Sequence, residues 1–61
     1  MNNFDDELGN PNEDMHFSVE AWHINSKAWR RIKVHAESRL RAVRTIYDNG
    51  YDNIGEMDEI R

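Results

Sequence analysis

The chain has 61 residues, a formal net charge of −4 and no cysteine. One domain is the most this length holds, and disulfides and thiolate metal sites are excluded. Chains of this size bury a small share of their surface on folding, so their stability is marginal unless something supplements the core. Charge is laid out in three blocks. Residues 1–20 carry six acids and no Lys or Arg, residues 27–44 carry seven bases against Glu37 alone, and residues 48–61 carry five acids and Arg61. The blocks sum to −6, +6 and −4.

In chain order, the first 14 residues, MNNFDDELGNPNED, combine acids, Asn, Gly9 and Pro11 with only Phe4 and Leu8 as large apolar side chains. This composition predicts a flexible acidic tail. The start is acidic where a signal peptide has a basic region, and no apolar run nears the roughly 20 residues that span a bilayer. A cytoplasmic protein with no membrane contact is therefore expected. From Met15 the apolar residues Met15, Phe17, Val19 and Ala21 alternate with His16, Ser18 and Glu20. That is the period of a half-buried strand. With no pairing partner evident, 15–25 reads as an extended arm, a strand donated to another protein, or a helix start near Val19.

The main element is predicted over 26–49. Asn25 or Ser26 can cap a helix N-terminus, and Asn49-Gly50 supplies a left-handed stop. Trp29, Ile32, Ala36, Leu40, Val43 and Tyr47 recur at steps of 3 and 4, which puts them on one helical face. After Gly50, Asn53 and Glu56 have the spacing of a capping box for a short helix over 53–60, lined by Ile54, Met57 and Ile60. The fold class expected is mainly α: one long amphipathic helix over about 26–48, an acidic extended N-terminal arm, and a short C-terminal helix able to close a helical hairpin.

Such a helix presents more apolar surface than the arms can cover, so a protein partner or a second copy is expected. Trp22, Trp29, Ile32, Leu40, Val43 and Tyr47 are the candidate contact residues, since buried Trp and Tyr dominate interface energetics. The plainer reading is that the two tryptophans fill a small core. Arg30, Lys33, Arg41 and Arg44 would form a basic flank that orients the partner or, alternatively, contacts nucleic-acid phosphates. Glu37 lies four residues from both Lys33 and Arg41, the spacing of intrahelical ion pairs, which favours a solvated face. Arg39, inside the apolar arc, must snorkel or meet a carboxylate.

Chemistry-bearing constellations are weak. His16, His23 and His35 match no metal-ligand spacing. Asp48, Asp52 and Glu59 fall at calcium-loop positions 1, 5 and 12, but Gly50 and Asn53 occupy positions 3 and 6, where a ligand and a glycine are needed. Ser18, Ser26, Ser38 and Thr45 have no base that spacing supports. No enzyme activity, metal or cofactor is implied.

The run SKAWRRIKVHAESRLRAVRTIYDN, with Trp29, Ile32, Leu40, Val43 and Arg44 at its matching positions, resembles a pattern common in small accessory proteins of tailed bacteriophages. The resemblance implies a role in virion assembly or in binding a host or virion protein, located in host cytoplasm or virion, with no catalytic residues. The function expected is thus a non-catalytic interaction or assembly protein. A nucleic-acid-associated regulator is the alternative.

Overall fold

Alternation of apolar and polar residues, and not the 3.6-residue period, decides this fold. The computed structural model describes residues 4–60. It contains four strands and one helix: β1 (Asp6–Leu8), β2 (Met15–His23), β3 (Ala28–Ala36), α1 (Arg39–Asp48) and β4 (Tyr51–Ile60). The strands form one sheet in the order β1-β3-β2-β4. β2 runs antiparallel to both β3 and β4, and β1 runs parallel to β3.

The mainly α expectation is therefore overturned. Residues 28–36, assigned to the long helix, are a nine-residue strand. Ile32, Val34 and Ala36 alternate with Arg31, Lys33 and His35, so period 2 was present beneath the helical stripe. Val34 is the deciding residue. It lies off the helical face, yet in the strand it is fully buried beside Ile32. β-branched residues at these positions also favour a pleated surface. With 28–36 as a strand, the alternating segment 15–23 gains its partner, in register from Met15↔Ala36 to His23↔Ala28. Asn25 and Ser26 thus form a hairpin loop and not a helix cap. The loop is closed by the Lys27 N–H donating to the His23 carbonyl, with Lys27 at φ 52.

The helix that does form is α1, ten residues long. Ser38 caps it, its hydroxyl accepting from the Arg41 amide at 3.2 Å. The predicted stop is where expected: Asn49 is the C-cap, and Gly50 has φ 88 with nothing near the position of a Cβ, so its role is backbone conformation alone. Ala42 and Ile46, one turn apart, are fully buried against the sheet. The β3–α1–β4 connection carries the chain over β2 and lays two parallel strands on either side of it.

β4 replaces the predicted short helix. Its pairing with β2 shifts twice, from Glu20↔Glu56 to Ala21↔Ile54 and then to His23↔Tyr51. Each shift gives β4 one extra residue, the mark of a bulge. The first falls at Gly55. At the opposite edge, part of the segment read as a tail is β1, and its Leu8 is buried in the core. Residues 1–3 of that segment lie outside the described residues.

One sheet face packs on α1 and holds the core: Leu8, Phe17, Val19, Ala21, Ile32, Val34, Ala36 and Tyr51, with Ala42 and Ile46 from the helix. No helix among the described residues is long and apolar enough to cross a membrane.

Candidate interaction surface

The single helix covers one face of the sheet and leaves the other open. By the strand registers, this open face is a grid of rows centred on β2. Trp22 stands beside Trp29, Glu20 between Arg31 and Glu56, Ser18 between Lys33 and Asp58, and His16 between His35 and Ile60. Glu7 of β1 adjoins Lys33.

The two tryptophans meet edge to face, with ring centroids 5.7 Å apart. Pairs of this geometry contribute about 0.5–1.5 kcal/mol beyond burial. The Trp29 indole reaches across β2 onto β4, and a Cβ at Gly55 would sit 3.2 Å from its Cζ3. Gly55 is thus the floor on which the ring lies. Trp29 nonetheless keeps 50% of its surface exposed.

Arg31 links polar groups of the two middle rows. Arg31 donates to the Ser18 hydroxyl at 3.0 Å and to Glu56 at 3.5 Å, and its Nη2 lies 3.9 Å from Glu20. The Arg31 backbone is held by Asp5, whose N–H donates to the Arg31 carbonyl while its carboxylate accepts the Arg31 N–H. The backbone bonds hold this residue's place in β3, and the side-chain bonds hold its guanidinium beside Ser18 and Glu56.

At the far end, His35 and His16 meet edge to face at 4.6 Å, and His35 Nε2 donates to the Glu7 carboxylate. That hydrogen bond is the main cause that holds the Glu7 carboxyl below the usual glutamate range; desolvation opposes it. A carboxylate only accepts, so Nε2 carries a proton. His35 is buried, and Nδ1 makes no hydrogen bond among the described residues. Beside it an open depression of about 270 Å³ is lined by Asn10, Glu13, Glu37, Arg41 and Thr45, among others. Glu37 accepts from Arg41 at 3.1 Å across that rim, so its one cation is paired.

The predicted contact residues do not form one seam. Trp22 and Trp29 come together on the open face. Ile32 is in the core, fully buried. Leu40 and Tyr47 point outward from α1 on the opposite side of the molecule, 79% and 49% exposed, with Val43 half-buried between them. The basic flank dissolves as well, because its members no longer share a helix. Arg30 alternates onto the helix-covered side with Ile32, Lys33 is on the open face, and Arg41 and Arg44 are on α1. These four cations therefore do not form one continuous ridge. Arg39 meets a carbonyl, not a carboxylate, donating to Met57 at 3.1 Å.

Sequence reasoning missed the His16–His35–Glu7 cluster and the seating of Trp29 on Gly55. Pairing 15–23 with 28–36 would have found the first, since 16 and 35 then face each other. It also missed a contact between His23 Nδ1 and the Ser26 hydroxyl at 2.6 Å. The Ser26 backbone N–H donates to the same nitrogen at 3.3 Å, so the contact staples the hairpin loop. On the helix side, the Tyr51 hydroxyl is buried with no hydrogen bond among the described residues. Burial pushes its pKa up, and the Arg30 guanidinium opposes the shift. No group of three or more His, Cys, Asp or Glu able to hold a metal occurs among the described residues.

No known protein family, curated protein or solved structure matches the chain.

Proposed function

We propose that this chain is a small non-catalytic protein-interaction module that binds through the open face of its sheet. The observation that carries this reading is Trp29, half exposed yet held in place by Trp22 and Gly55. A large, pre-positioned aromatic side chain loses little conformational freedom on binding, which is why Trp anchors so many interfaces. Around it lie groups of both signs, with Arg31 pinned in the centre. Such an arrangement sets orientation and register at a protein surface. Four acids, Glu7, Glu20, Glu56 and Asp58, against Arg31 and Lys33 make this face a poor match for phosphate backbones. The exposed Leu40 and Tyr47 are the competing surface, but they show no ring pairing of the kind that joins Trp29 to Trp22 among the described residues.

A photo-crosslinking side chain placed at Trp29, and separately at Leu40, tests the reading in the cells that make the protein. Adducts are expected from position 29 and not from position 40. Adducts from position 40 alone, or from neither, overturn it.

A further inference from the structure

We infer that the occupant of the open face is a second copy of this chain, packed face to face about a twofold axis running along β2. The inference rests on the interaction reading above and names its partner. Its basis is the placement of charge about β2. In the Glu20 row the β3 neighbour is Arg31 and the β4 neighbour is Glu56; in the Ser18 row they are Lys33 and Asp58. A column of two cations thus stands on one side of β2 and a column of two acids on the other, in the same rows. Rotation by half a turn about an axis along β2, between two facing sheets, keeps each row at its own height and exchanges its sides. Arg31 then lies over Glu56 of the second copy and Lys33 over Asp58, twice each by symmetry. A twofold interface requires this kind of self-complementarity.

The remaining rows agree with the axis. Because the Trp29 ring crosses β2 to lie on Gly55, both copies bring their tryptophans to the axis at one end. Ile60, 37% exposed, comes over His35 at the other. Glu20 meets its own copy on the axis, and each carboxylate has an Arg31 guanidinium 3.9 Å away. Face-to-face sheets pack near −30°, an angle set by their twist, so the contacts run closest near the crossing point. Association by the sheet edge is disfavoured instead. β4 carries Asp52, Glu56, Asp58 and Glu59 with no base, and its two bulges break the straight edge that a further strand would need.

A charge exchange tests the arrangement. Sedimentation equilibrium of the full chain should give twice the 7.3 kDa chain mass, shifting toward the single-chain mass on dilution. Lys33→Asp alone and Asp58→Lys alone each place like charges opposite each other and should weaken the dimer at least about tenfold. Mixed in equal amounts they should restore it, since the carboxylate introduced at position 33 of one then faces the ammonium introduced at position 58 of the other. Far-UV circular dichroism checks that each variant keeps its fold. If either does not, isotope-filtered nuclear Overhauser effects in a mixture of labelled and unlabelled wild type decide, with contacts expected between the Trp29 rings of the two copies. A wild type that stays at the single-chain mass up to millimolar concentration overturns the inference. So does a dimer indifferent to both reversals, or one without contacts at Trp29. A monomer that still crosslinks from position 29 to another protein sinks only the second copy. A monomer that gives no adduct there sinks the interaction reading as well.

Discussion

The two faces of this sheet are made from the same strands and differ by one residue of register. On the helix-covered face, Phe17, Val19, Ile32 and Val34 are fully buried. On the open face the neighbours one position along, Ser18, Glu20, Arg31 and Lys33, are linked side by side in rows or left in water, and the largest apolar group is a half-exposed tryptophan. The difference separates two tasks. Stability is concentrated where water is excluded, because burial of apolar area is the dominant favourable contribution to folding. The open face contributes little to it, so its residues can serve contact with another molecule.

The largest effect expected from breaking this division is at Ile32. Ile32→Ala should cost about 2–5 kcal/mol, the usual range for such a truncation in a core. Lys33→Ala, next in the chain but on the other face, should change stability by less than about 0.5 kcal/mol. Urea unfolding followed by tryptophan fluorescence measures both. Equal effects would mean that the two faces do not divide the work. For a domain whose whole stability is of order 0.05–0.15 kcal/mol per residue, Ile32→Ala removes most of it.

A second test concerns how β1 is attached. Gly9 has φ 84, and a Cβ there would lie 2.0 Å from the His35 carbonyl oxygen. Gly9→Ala therefore meets backbone that cannot yield, in addition to a strained φ that costs about 1–3 kcal/mol. Gly50→Ala meets the same kind of strain at φ 88 with open space around it. The first should lower the melting temperature more than the second, and amide exchange at Leu8 should accelerate only in the first.

Trp29→Ala should fall below both in its effect on folding. A fully buried aromatic side chain removes about 150–250 Å² from water, and half of that at about 25 cal/mol per Å², reduced for residual burial in the unfolded chain, gives about 1–2 kcal/mol. The same substitution should abolish whatever association the open face supports. A variant that unfolds without losing association would invert the roles assigned to the two faces.

How much of this was legible beforehand can be traced to individual residues. The Asn49-Gly50 stop was visible and lies where the helix ends; the alternation over 15–21 was visible too, but it left an extended arm, a donated strand and a helix start open, and the segment is a strand paired within the chain. What failed was the choice of period for 28–36. Trp29, Ile32 and Ala36 fit a helical face, and they are equally consistent with a strand in which Ile32 and Ala36 face inward and Trp29 outward. The spacing of these three residues alone cannot separate the two readings, because the deciding energy comes from pairing with 6–8 and 15–23, which is a tertiary effect. β4 was harder still. Tyr51, Ile54 and Met57 recur every third residue because two bulges shift the strand, so its inward positions imitate a helix. Of the candidate contact residues, Trp22 and Trp29 remain together only because their cross-strand pairing happens to bring neighbours on the imagined helix face side by side on the sheet. Leu40, Val43 and Tyr47 stay on a helix, but on the other side of the molecule.

The smallest effect lies where the open face contains its one buried polar group. Glu7 and His35 join β1 to β3 through a hydrogen bond that lowers the Glu7 pKa in the folded chain. A carboxyl whose folded pKa lies below its unfolded value adds stability above the unfolded pKa, and that addition disappears as pH falls through the folded one. The wild type should therefore lose stability from this source only at pH values below the ordinary glutamate range near about 4.3. Glu7→Gln should unfold more readily at pH 7 and lose less on acidification, so that the two curves of urea midpoint against pH converge at low pH. Curves that remain parallel would show that the carboxylate's charge plays no part. β1 would then be held by burial of Leu8, its backbone pairing with β3 and the Asp5 bonds to the Arg31 backbone, and the charge on the open face would add nothing to its attachment.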